Sequence, residues 1–166
     1  MKNINAERSL NRIIMKTAIV YVSTHHGNTR KLAEAIAANC EVTLIDGIKA
    51  QELNLEEYDC IGLASGIAYG KFYPKMLKLM EESLPEGKKV FLLYTCGTKQ
   101  VGYTNAASKR VKEKNCEMLG EYGCLGFDTY GPFKLVGGIS KGHPDSEELA
   151  EAVNFYYRII KQNEGK

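Results

Sequence analysis

The sequence predicts an α/β domain in which a five-stranded parallel sheet is doubly wound, with helices on both faces. Three observations carry this reading. Short, continuously apolar, β-branched runs recur along the chain, and such runs belong to strands covered on both faces. Segments with apolar residues three and four positions apart lie between them, the spacing of helices that bury one stripe. The two patterns alternate, and right-handed crossovers between such units leave a parallel sheet sandwiched by helices.

The first strand is read at Thr17–Val22 (TAIVYV), followed by a helix over Thr29–Asn39 whose inner stripe is Leu32, Ile36 and the alanines at 33, 35 and 37. Further strands are read at Glu41–Asp46 (EVTLID), Asp59–Ala64 (DCIGLA), Lys89–Tyr94 (KVFLLY) and Tyr122–Phe127 (YGCLGF). Helices are read at Pro74–Ser83, Asn105–Gly120 and Asp145–Gln162. Pro144 and the acidic Asp145, Glu147 and Glu148 mark the start of the last helix, where negative charge meets the positive end of the helix dipole. Asp128–Pro144, with four Gly and two Pro, is longer than an ordinary connection. Its Tyr130 and Phe133 are candidates to cover a ligand or shape a partner surface, unless the stretch is a plain packed loop. Phe72 and Tyr73 either form an exposed aromatic rim or open the next helix.

Composition bounds the function. The 166 residues are 44% hydrophobic and 25% charged, the balance of a globular protein with one core, so disorder and coiled coil are disfavoured. Residues 1–14 are polar and aperiodic, are expected to be a disordered extension, and leave 15–166 as a single domain. No apolar run is long enough for a membrane span, and no leader pattern is present, so neither membrane nor secretion is expected. The net charge of +2 gives no basic footprint for nucleic acid. Lys2, Arg8 and Arg12 against Glu7 account for that excess, so residues 15–166 are neutral. Cys40, Cys60, Cys96, Cys116 and Cys124 are odd in number and contain no C-x-x-C pair, which suits a reducing, cytoplasmic interior.

In sheets of this kind the ligand sits beyond the carboxyl ends of the strands, where strand order reverses. The loop after the first strand, Ser23-Thr24-His25-His26-Gly27-Asn28-Thr29, is rich in hydroxyls and runs into a helix start. Unpaired N–H groups and the helix dipole there hold an anion without Lys or Arg, so the loop suits a monophosphate. Thr24, Asn28 and Thr29 add side-chain donors, and Gly27 keeps the turn tight. Neither G-x-x-x-x-G-K-[ST] nor G-x-G-x-x-G is present, so the ATPase and Rossmann dehydrogenase readings lose their main support. The plainer alternative is that these residues only cap the helix.

On these residues the chain resembles a flavodoxin. Thr24-His25-His26-Gly27-Asn28-Thr29 matches that family's [ST]-x-[ST]-G-x-T phosphate loop, except that His26 stands where a hydroxyl is usual. Ser23 or an imidazole N–H is the candidate replacement. Ser65-Gly66-Ile67-Ala68-Tyr69-Gly70 is similar to the loop that carries an aromatic residue and then Gly beside the flavin. The resemblance implies that Tyr69 stacks on the ring and that the Gly70 peptide reorients toward flavin N5 on reduction. Thr95-Cys96-Gly97-Thr98 matches the loop whose N–H groups meet the pyrimidine side, and Tyr103 is a weaker candidate for the other ring face.

The resemblance covers residues 15–162 and implies a strand order of 2-1-3-4-5. It further implies noncovalently bound FMN and low-potential electron transfer with redox protein partners. The expected assembly is a monomer or weak homodimer, and no catalytic acid or base is needed. The alternative is an FMN-dependent NAD(P)H oxidoreductase acting on a quinone or another small acceptor. A receiver-type module is disfavoured, because its clustered acids are replaced by Thr24–Thr29 and Ser65. The family is usually acidic, whereas residues 15–166 are neutral, which weakens the expectation of a basic partner. His25 and His26 lack the ligand spacing of a metal site, so none is assigned. Cys96 is expected at a helix start, a position that lowers a thiol pKa, although packing as a small residue is the commoner role.

Overall fold

The computed structural model describes residues 15–163. In chain order the elements are β1 (Thr17–Val22), α1 (Asn28–Asn39), β2 (Thr43–Asp46), β3 (Cys60–Ala68), β4 (Lys71–Phe72), α2 (Pro74–Ser83), β5 (Lys89–Cys96), α3 (Asn105–Glu113), β6 (Glu117–Leu125) and α4 (Ser146–Asn163), with a 3-10 helix at Gly131–Val136 before α4. The main sheet runs β2-β1-β3-β5-β6, and β4 pairs with the end of β3. All the pairings along that path are parallel. Counted without the short hairpin strand β4, this is the order that the resemblance implies. The expected extension at residues 1–14 lies outside the described residues.

Alternate residues of each central strand face opposite layers. Val20, Leu63 and Leu92 stand side by side in register and pack with Met76 and Met80 of α2 and Val111 of α3. Ile19, Phe91 and Leu93 face the other way, against Leu32 and Ile36 of α1 and Phe155 and Ile159 of α4. The core is therefore two apolar layers divided by the sheet, as expected of strands that are apolar on both faces. Phe91 is fully buried against Phe155 and Tyr156, and removing a ring so placed costs ~3–5 kcal/mol. No helix among the described residues is long and apolar enough to cross a membrane.

Three expectations are corrected. The helix expected through Gly120 ends at Glu113, because Asn115 takes a left-handed turn (φ 52°) and β6 has begun by Glu117. As an edge strand β6 is only partly covered, so it lacks the unbroken apolar run that marks β1. Its pairing with β5 is irregular between Val90 and Phe91. Secondly, β3 continues through Ala68 and reverses into β4, so part of the expected loop at 65–70 is paired strand. Its two-residue turn is Tyr69-Gly70, with both φ positive (52° and 76°), and Tyr in the first position hides the Asn-Gly signal of such turns. Thirdly, β5 reaches Cys96, so Thr95 and Cys96 are strand residues rather than loop. Phe72 is fully buried in the core and forms no rim.

Candidate functional site

The carboxyl ends of β1, β3, β5 and β6 open into a cleft of about 300 Å³. Its first wall is the start of α1. Gly27 caps that helix in a left-handed conformation, and no acidic residue lies in the first turn. Among the described residues no acceptor takes the backbone N–H of His26, Gly27 or Thr29. These groups, with the positive helix end, make an anion site. Its frame is polar and buried: the Thr29 hydroxyl lies 2.8 Å from that of Thr95, and the Asn28 amide donates to the Phe127 carbonyl at 2.8 Å. The start of α1 is thereby tied to β5 and to the exit of β6. Asn28 Oδ1 is buried without a partner, a state that costs ~1–3 kcal/mol unless something donates to it.

Ser23, His25, Asn28 and Thr29 line the cleft, whereas Thr24, His26 and Gly27 do not. Thr24 Oγ1 instead pairs with His25 Nδ1 at 3.0 Å. His26 turns away, its Nε2 2.8 Å from Thr129 Oγ1 and its ring 4.5 Å from that of Phe127. The imidazole is therefore engaged with the later loop, and Ser23 is the hydroxyl that faces the cleft, while also accepting the Arg30 N–H at 3.3 Å.

The second wall comes from the β3–β4 hairpin. Ile67, Ala68, Tyr69 and Gly70 line it, with Tyr73 behind. Ser65 and Gly66 support it from below. The buried Ser65 hydroxyl donates to the Gly66 carbonyl at 2.8 Å and accepts the Tyr73 N–H at 3.0 Å. A Cβ on Gly66 would stand 2.4 Å from the Tyr73 ring, so only glycine lets that ring close on the strand.

The third wall joins the loop after β5 to the loop after β6. Thr95, Cys96, Gly97, Thr98 and Tyr103 line the first part. Tyr103 is buried, donates to the Thr98 carbonyl at 2.9 Å and packs edge-on to Tyr94. Cys96 corrects an expectation. It ends β5, nine positions before α3 starts, with Sγ 3.5 Å from the Cys124 carbonyl. Burial pushes its pKa up to about 11, so it is a packed thiol and not a thiolate at a helix start.

Sequence reasoning missed Gly126, Phe127 and Asp128 and left Tyr130 and Phe133 open; all of them line the cleft. The two aromatics in an over-long loop were the available signal. Asp128 pairs with Ile139 through two backbone hydrogen bonds, and its Oδ1 accepts the Tyr130 N–H at 2.7 Å. Ser140 then fastens the loop to the Gly97 carbonyl at 2.8 Å. Across the mouth the Tyr130 and Tyr69 hydroxyls meet at 2.5 Å, their rings edge to face. That hydrogen bond pushes the Tyr130 pKa up. The His25 ring lies 6.1 Å from that of Tyr130 and 6.4 Å from that of Tyr73. The cleft thus runs from an open helix start, whose chemistry suits an anion, to an aromatic mouth.

A separate cluster of His143, Asp145 and Glu148 also escaped the sequence reading. Its groups are spent on one another: Asp145 and Glu148 form a reciprocal cap at the start of α4, and His143 Nδ1 meets Glu148 at 2.7 Å.

A parallel sheet of this order, with an open helix start at its reversal point, defines an α/β protein of the doubly wound kind, whose ligands sit beyond the carboxyl ends of the strands. A sequence profile described as a flavodoxin domain matches residues 19–133. An uncharacterized protein of Methanocaldococcus jannaschii is 37% identical over 150 residues, which span 89% of this chain and 99% of that one. The chain belongs to the flavodoxin-domain family. Among solved structures, a flavodoxin from the domain Archaea superposes with a TM-score of 0.63 at 21% identity, covering 88% of this chain and 97% of its own. A flavoprotein from Lactobacillus acidophilus, solved in complex with FMN, gives 0.55 at 19% identity, covering 66% and 93%.

Proposed function

We propose that the protein carries electrons on noncovalently bound FMN, with the phosphate at the Ser23–Thr29 loop and the flavin ring at the aromatic mouth. The observation that carries this is that the start of α1, where among the described residues the Thr29 N–H is unpaired and Ser23, Asn28 and Thr29 line the wall, opens into a cleft of about 300 Å³ that ends in Tyr69 and Tyr130. The residues present suit the group. Backbone donors match a phosphate, and the orphaned Asn28 Oδ1 is an acceptor for a ribityl hydroxyl. The exposed face of Tyr69 offers an aromatic surface for the ring. Flavin supplies one- and two-electron chemistry when bound, and the protein's part is to orient it and limit its contact with water.

The carrier is favoured over the NAD(P)H oxidoreductase by the loop at 126–133. It forms a wall of the cleft, and its Tyr130 meets Tyr69 across the mouth, which leaves less room over the ring for a nicotinamide. Five free cysteines support a reducing, cytoplasmic setting, and redox proteins are the expected donor and acceptor. The test is an anaerobic reductive titration followed by absorbance, with and without NADH or NADPH. The expected result is a yellow protein that takes up electrons in two separate one-electron steps and ignores nicotinamide. Direct two-electron reduction by NAD(P)H would make it an oxidoreductase, and no flavin uptake on reconstitution would overturn both readings.

A further inference from the structure

The loops around the cleft carry an uneven charge. Segments 23–28, 66–73, 97–104 and 126–142 hold four lysines, Lys71, Lys99, Lys134 and Lys141, against one carboxylate, Asp128. Asp128 is half-buried and turned onto its own loop, where it accepts the Tyr130 N–H. The four lysines are exposed, and among the described residues none of them forms an ion pair. Three of them directly follow a residue that lines the cleft: Lys71 after Gly70, Lys99 after Thr98, and Lys134 after Phe133. This excess is local to the cleft loops, since Asp46 at the end of β2 and Asp145, Glu147 and Glu148 at the start of α4 carry negative charge elsewhere on the same end of the sheet.

Apolar side chains stand exposed among these cations. Tyr69 is 83% exposed, Leu135 90% and Val101 100%. An apolar centre ringed by charge is the anatomy of a transient protein interface, and a cluster of uncompensated cations steers an anionic partner toward it. A small anion would leave Val101 and Leu135 exposed, since neither lines the cleft. A protein surface covers both.

We propose that the mouth of the cleft is a docking surface for an acidic redox protein, with Lys71, Lys99, Lys134 and Lys141 surrounding Tyr69, Val101 and Leu135. The inference rests on the electron-carrier reading, because docking there brings a partner to the aromatic edge of the site. It is tested by titrating the ¹⁵N-labelled protein with an acidic plant-type ferredoxin and, as the opposite probe, a basic c-type cytochrome. The ferredoxin is expected to shift amides at 70–71, 98–101 and 133–136, and its affinity to fall about tenfold between low and physiological-to-moderate salt.

The quadruple Lys→Gln variant (K71Q, K99Q, K134Q, K141Q) is expected to lose at least about tenfold in ferredoxin affinity at low salt while keeping its melting temperature and FMN affinity. Three results overturn the proposal: equal ferredoxin binding by the variant, preference of this face for the cytochrome, or shifts at the lysines with a nicotinamide dinucleotide alone. FMN fluorescence quenching is read in parallel. Flavin bound without ferredoxin docking overturns the surface alone, whereas absence of flavin binding overturns the reading beneath it.

Discussion

The two ends of the sheet are built to different specifications. At the amino end, Lys16 and Lys88 each have a carboxylate partner. Lys16 bonds Glu57, its backbone N–H donates to Asp59 at 2.8 Å, and its ammonium lies 5.1 Å above the Tyr58 ring. Lys88 donates to the Glu56 carbonyl at 2.7 Å, while Leu55 and Tyr58 are buried beneath. At the carboxyl end, His26 and Tyr69 are held at positive φ, Asn28 Oδ1 is orphaned, and Tyr69 stands in solvent beside unpaired lysines. A fold tolerates strain and unmet polarity where a ligand or partner completes them. One end is finished by the chain itself, and the other is left open.

The first way to break this contrast is alkaline pH, because the thiols beneath both ends are equally sealed. Cys60 starts β3 at the amino end, and burial raises its pKa to about 12; Cys96 and Cys124, toward the other end, are raised by burial to about 11 and about 12. Above pH 9 the unfolded chain loses these protons while the folded chain keeps them. The unfolded state then binds fewer protons, so stability falls as pH rises. The contribution is fully present below about pH 9 and is lost up to pH 11–12, at ~1.4 kcal/mol per pH unit for each thiol. Urea unfolding between pH 8 and 11 should show that slope, and Cys60→Ala should flatten it. If Cys96→Ala flattened nothing, Cys96 would titrate alike in the folded and unfolded chain, and its thiol would not be sealed by burial.

The second effect is local. Asn28→Ala removes the bond to the half-buried Phe127 carbonyl but also the orphaned Oδ1. Since each is worth ~1–3 kcal/mol, the two should largely offset, leaving the stability of the flavin-free protein little changed. FMN affinity should fall roughly tenfold or more as the start of α1 loses its tie to the third wall. The readouts are urea unfolding and flavin fluorescence. Unchanged FMN affinity would remove this loop from the site.

How much of this was legible follows from what each region is made of. The first strand and the helix at 74–83 were read to the residue, because a wholly apolar run or a proline start leaves little choice. The edge strand β6 was read five residues late, because half of its surface faces solvent and its pattern resembles a helix as much as a strand. Within the cleft, the loop at 23–29 announced itself through hydroxyls at a helix start, and Ser23, His25, Asn28 and Thr29 of it line the wall. The wall at 126–133 did not, since Gly126 and Phe127 gain their role only from contact with Asn28 across the fold. Likewise His26 was read as facing the ligand, and only the distant Thr129 shows why it turns away.

The third test isolates strain at the mouth. A non-glycine residue at positive φ costs ~1–2 kcal/mol, and Tyr69 bears that cost in a turn where glycine would bear none. Tyr69→Gly should therefore leave the melting temperature unchanged or raised, while FMN affinity falls and the flavin spectrum shifts toward that of free flavin. A variant that lost stability and kept its affinity would mean that the ring packs for the fold alone.

The smallest effect is the most discriminating for the amino end. Lys16→Gln removes the ion pair with Glu57, both of whose side chains are more than half exposed. Exposed pairs gain little, because water screens them and two long side chains must be held still. The hydrogen bond to Glu57 does raise the Lys16 pKa, which shows the pair is formed but says nothing of its worth once solvent screening is counted. The melting temperature should therefore not move measurably, at low salt or high. A clear loss would mean that the amino end is held by its charges rather than by Leu55 and Tyr58. The matched charges there would then be a source of stability, and the bare lysines at the other end would mark a sacrifice of it as well as a docking surface.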